Sequence, residues 1–178
     1  MKFKVEVRGM IYKLFNHLKS VSVEGNHGVE RLRHETPYYQ NDQVCVEVKE
    51  NVHNEIQVRV TRANHEVTKV ILEFINPMES VKAQLNPYGE SQPYQPEAQL
   101  NQCYICSDWG IYALGIEQDQ GHQASFTVTP TDIRVEIPVD SSDLNQCYRI
   151  LFEKYLMVHS NQEIVSRFKH QLGYSVAN

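Results

Sequence analysis

Histidines and carboxylates crowd one stretch of this chain: His27 and His34 stand near Glu30 and Glu35, with Arg31 and Arg33 among them. Histidine and glutamate are the usual proton-transfer groups near neutral pH, so a hydrolytic or nucleolytic centre can be drawn from His27, His34 and Glu35. Their spacing matches none of the patterns known to bring such groups together. The chain has no glycine-flanked serine elbow, paired-histidine zinc helix, phosphate-cradling glycine loop or dinucleotide fingerprint. Among the eight histidines, those in turn-like settings such as His53 and His65 read as solvated surface residues.

Cys103-Tyr104-Ile105-Cys106 has the spacing of half a zinc site or of a redox dithiol. A structural zinc ion needs about four ligands, and the nearest further candidate is a lone His122. Redox chemistry places the first thiol at a helix N-terminus, whereas this run is strand-like, and strand positions three apart face opposite sides. No metal and no cofactor is expected. Cys45, Cys103, Cys106 and Cys147 are read as reduced thiols, since a chain able to bury its own core has little need of bridges.

Aromatic residues are the more suggestive feature. Of the ten tyrosines, Tyr38, Tyr39, Tyr88 and Tyr94 fall outside any strand pattern, in segments read as loops. A ring with a polar tip buries much area at small entropic cost and is enriched at protein interfaces. The competing reading is that these rings pin each loop to its own domain. Stacking of single-stranded nucleic acid is disfavoured, because residues 85–102 carry no Lys or Arg. Trp109, beside Gly110, reads as core.

The elements that must position these groups follow from periodicity. Phe3, Val5 and Val7 alternate with Lys4, Glu6 and Arg8, the mark of a strand with one wet face. The same pattern recurs at Val44, Val46 and Val48 and at Ile56, Val58 and Val60, joined by a polar turn at 50–54. Val67 to Ile75 is apolar on both faces and reads as a central strand, so these three form a first meander. Met10 to Lys19 has helical spacing and leads into a strand at Val21 and Val23; Val29 to Asn41, polar and holding Pro37, reads as a long loop. Residues 85–102, with Pro87, Pro93 and Pro96, read as a surface excursion within the domain. A second meander follows at Cys103–Cys106, Gly110–Glu117, Ala124–Thr129 and Ile133–Val139.

The C-terminus changes period. Ser141, Ser142 and Asp143 offer capping oxygens, and Leu144, Tyr148, Leu151, Tyr155 and Val158 form a helical stripe. Ser160 to Glu163 matches a capping box ahead of Ile164, Phe168 and Leu172, and Gly173 ends that second helix. The expected fold is α+β: a mainly antiparallel sheet of two meanders with a C-terminal pair of α-helices packed on one face, all in one domain spanning 1–178. Exposing these stripes would be costly, so everything after Val139 belongs to the folding unit.

Composition limits the functions such a domain can serve. The 178 residues are 41% hydrophobic, enough for one core, and the net charge of −5 removes the broad positive field that duplex nucleic acid requires. No apolar run approaches the ~20 residues that cross a bilayer, and the charged N-terminus does not resemble an export signal, so a cytoplasmic location is expected. The leading expectation is a non-enzymatic protein-binding domain, an adaptor, inhibitor or assembly subunit, that meets another protein or a second copy through Tyr38, Tyr39, Tyr88 and Tyr94. The alternatives are a small hydrolase or nuclease using His27, His34 and Glu35, and a small-ligand or nucleotide-sensing module.

Overall fold

The structure, a computed structural model, describes residues 14–51, 55–78, 80–108, 110–117, 123–140, 142, 144–156 and 159–173. A 3-10 turn at Leu14–His17 leads into the strands, which in chain order are β1 (Leu18–Gly25), β2 (Gly28–Arg31), β3 (Arg33–Glu35), β4 (Tyr38–Gln40), β5 (Val44–Asn51), β6 (Glu55–Ala63), β7 (Val67–Ile75), β8 (Ala83–Leu85), β9 (Ser91–Pro93) and β10 (Gln99–Leu100). Then follow β11 (Gln102–Ser107), β12 (Gly110–Ile116), β13 (Ser125–Val128), β14 (Asp132–Pro138) and β15 (Cys147–Tyr155), and one helix, α1 (Asn161–Gln171). They form a six-stranded sheet, order β10-β13-β14-β7-β1-β2, and a nine-stranded sheet, order β3-β4-β5-β6-β15-β12-β11-β8-β9. Every pairing is antiparallel.

Alternation explains the layering. Val21, Val70, Leu72, Phe74, Ile133 and Val135 of the smaller sheet share one apolar core with Val46, Val58, Tyr112, Leu114, Ile150 and Phe152 of the larger. The odd-numbered register of β12 faces the other way: Ile111 and Ala113 join Tyr104, Leu85, Ile164, Val165, Phe168 and Leu172 in a second cluster, so α1 covers part of the outer face of the larger sheet. That is why β12 is buried along its whole length. Gly115 lies under the helix, where an added Cβ would sit 2.5 Å from Leu172 Cδ1 and 2.8 Å from Phe168 Cε2. Among the described residues no helix is long and apolar enough to cross a membrane.

Several expectations are corrected. Among the described residues the protein is an antiparallel β-sandwich with one α-helix, not an α+β sheet with a helical pair. The stripe Leu144 to Val158 is mostly β15, because Tyr148, Ile150 and Phe152 also alternate, and pairing to β6 on one side and β12 on the other selects the strand period. Asp140 Oδ1 accepts from the Ser142 amide and hydroxyl, and Asn145 takes a positive φ of 70°, so Ser142 belongs to a turn and not to a helix cap. Ser141, Asp143 and Val158 lie outside the described residues. The meanders are split as well: β7 leaves β5 and β6 to become central in the smaller sheet, and β13 and β14 join it there while β11 and β12 stay in the larger.

Two segments read as loops hold strands. Val29 to Asn41 holds most of β2 and all of β3 and β4, polar because two of them are edges with both faces wet. Within 85–102 lie the end of β8, edge strand β9, where Pro93 is tolerated, and β10. The helix expected over Met10 to Lys19 shrinks to the turn at Leu14–His17, Met10 to Lys13 lying outside the described residues, as do the expected strand at Phe3–Val7, His53, Trp109 and His122. The second helix holds: Ser160 Oγ accepts from the Glu163 amide at 3.2 Å, and Phe168 and Leu172 are fully buried.

Candidate functional site

The Tyr88 turn joins β8 to β9. Asn86 begins it, and its side-chain oxygen accepts from the amides of Tyr88 at 2.9 Å and Glu90 at 3.0 Å, the local closure that short amide side chains provide. Gly89 amide donates to the Asn86 carbonyl, and Asn86 Nδ2 donates to Glu90 Oε1. Gly89 holds φ at +84° against the first turn of α1, where a Cβ would come 2.9 Å from Gln162 backbone, so only glycine fits both demands. Lys169 Nζ donates to the Pro87 carbonyl at 2.7 Å and stands 5.9 Å from the Tyr88 ring centroid, within cation–π reach. The backbone is thus tied down by Asn86, Lys169 and the approach of α1 while Tyr88 is 76% exposed.

A cleft of about 400 Å³ opens where the chain steps from β2 in one sheet to β3 in the other. Lys19, Ser20, Arg31, Leu32, Arg33, His34 and Tyr39 line it. Leu32 is buried and its amide donates to the Val21 carbonyl at 2.9 Å, which fixes the corner. His34 stacks on Tyr39 with ring centroids 4.4 Å apart, and its Nε2 shares a 2.5 Å hydrogen bond with Thr36 Oγ1.

The residues proposed for catalysis are not brought together. His27 sits in the β1–β2 turn, edge-on to His65 at 5.4 Å, at the far end of β2 from His34. Glu35 is hydrogen-bonded to Gln40, and no hydrogen bond or ring contact joins His27, His34 and Glu35. Among the described residues no group of three His, Cys, Asp or Glu is placed to hold a metal ion. Cys103 faces the main core and Cys106 the helix side, and all four cysteines are free. Burial pushes the Cys103 thiol up to about 12 and raises that of Cys106.

The four tyrosines divide evenly. Tyr39 is buried beneath His34, and Tyr94 packs on the main core and donates to the Val128 carbonyl; burial raises the pKa of both. Tyr38 is exposed opposite Glu47 on the outer face of the larger sheet. Lys169 and Asn86 at the Tyr88 turn were missed from the sequence, although Asn-Pro-Tyr-Gly is itself a turn signal. Lys19 lies too far along the chain from His34 for any local pattern to pair them.

No protein-family model, curated protein or solved structure matches the chain.

Proposed function

We propose that this chain is a non-enzymatic protein-binding domain that engages its partner through the Tyr88 turn. One observation carries the reading: an aromatic ring is held out in solvent by a backbone fixed through Asn86, Gly89 and Lys169. Binding also costs the ordering of interface loops, and here the turn backbone is already held by its own hydrogen bonds. Tyrosine anchors of this kind dominate interface energetics, and Lys169 supplies a cation beside the ring for an acidic group on the partner. Tyr38 is the other exposed tyrosine among the described residues and lies on a different strand hairpin.

The test is a photo-crosslinking residue placed at Tyr88 in the full chain, with control placements at Val29 and Ile75, which are also exposed. The reading expects one protein, or a second copy, to be captured from position 88 and not from the controls. Capture from all three sites alike, or none from position 88, contradicts it.

A further inference from the structure

We propose that the cleft at the β2–β3 corner binds a single nucleotide, its phosphate on Arg31 and Arg33 and its base on the exposed face of His34. In a chain of net charge −5 the cleft is lined by three permanent cations and no carboxylate. The carboxylates around it already have partners: Asp132 accepts from Lys19 Nζ at 2.5 Å, Glu30 from Asn41 Nδ2 at 2.9 Å, and Glu35 from Gln40. Among the described residues Arg31 makes one hydrogen bond, at 3.4 Å to the Lys19 carbonyl, and neither Arg31 nor Arg33 makes an ion pair. Two exposed guanidinium forks on either side of an anchored Leu32 therefore keep most of their donors open, the arrangement that receives phosphate oxygens in pairs.

The aromatic half of the ligand follows from the neighbouring shelf. Tyr39, 7% exposed, backs the His34 ring in a parallel stack at 6°, which leaves the outer face of an exposed imidazole flat and supported beside the arginines. Bases stack on such surfaces whatever their identity. A volume near the lower end of the ~300–1,000 Å³ range of small-molecule sites suits one nucleotide. This inference does not depend on the Tyr88 reading.

The experiment titrates the full chain with AMP, ribose 5-phosphate, adenosine and inorganic phosphate by calorimetry and by amide chemical-shift mapping. AMP should bind at least about tenfold more tightly than either half, with shifts centred on Ser20 and Arg31–His34. Arg31→Gln and Arg33→Gln, both exposed positions, should each weaken AMP roughly tenfold and leave adenosine unchanged, and His34→Ala should weaken AMP without affecting ribose 5-phosphate. Tyr88→Ala should bind AMP as the parent does. Inorganic phosphate binding as tightly as AMP, shifts elsewhere, or variants that bind AMP unchanged would overturn the proposal.

Discussion

Phe168→Ala tests whether α1 is part of the fold or an appendage. The ring is fully buried, edge-on to Tyr104 at 5.8 Å and to Tyr155 at 6.4 Å, and lies over Gly115, which has no side chain to fill the space left behind. Truncating a buried phenylalanine costs about 3–5 kcal/mol, the transfer loss plus the cavity. With an m-value of about 2 kcal/mol/M, the urea midpoint should fall by roughly 1.5–2.5 M. Cys106 provides a second readout. It is half-buried and packs against the cluster that the helix covers, so alkylation of its thiol should speed up in the variant, while Cys103, deep in the main core, stays protected. A midpoint shift below about 0.5 M together with unchanged Cys106 reactivity would show that the helix does not dock on β11 and β12.

Gly115→Ala should overpack the same interface and destabilise by about 1–3 kcal/mol, and Leu172→Ala should relieve part of that cost in a double-mutant cycle; strictly additive losses would contradict the contact. Ser160→Ala should cost about 1 kcal/mol of stability through the lost cap, measured by urea unfolding. The acid limb of stability has a defined sign. Lys19 holds the Asp132 carboxyl below its ordinary 3.8, and although burial pushes Glu136 up, Lys69 and Arg134 bring it below 4.5. Depressed folded values mean stability that is fully present above those ordinary values and lost as pH falls through the folded ones, so the urea midpoint should drop below about pH 4.5 and Glu136→Gln should flatten that drop.

Strands with one wet face, such as β5, β6 and β14, were legible because alternation has a single physical cause, burial of one side. The division of those strands between two sheets was not, because β7 and β12, apolar on both faces, look alike in sequence although one lies in each sheet. In β15 the residues Tyr148, Leu151 and Tyr155 satisfy a helical stripe while Tyr148, Ile150 and Phe152 satisfy a strand, and only the neighbours β6 and β12 decide between them. Edge strands β2 and β3 were hidden by polarity, since a strand that buries neither face leaves no periodic trace. Tyr88 was legible as an out-of-pattern aromatic; that its turn is rigid depends on Lys169, distant in the chain.

The most direct measurement is the affinity of the partner captured at position 88 for the parent protein and for Tyr88→Ala. Because Tyr88 is 76% exposed, the substitution should change stability by less than about 0.5 kcal/mol while weakening the partner at least tenfold, about 1.4 kcal/mol or more. Equal affinity for the two proteins, with both folded, would contradict a role for the Tyr88 turn in recognition.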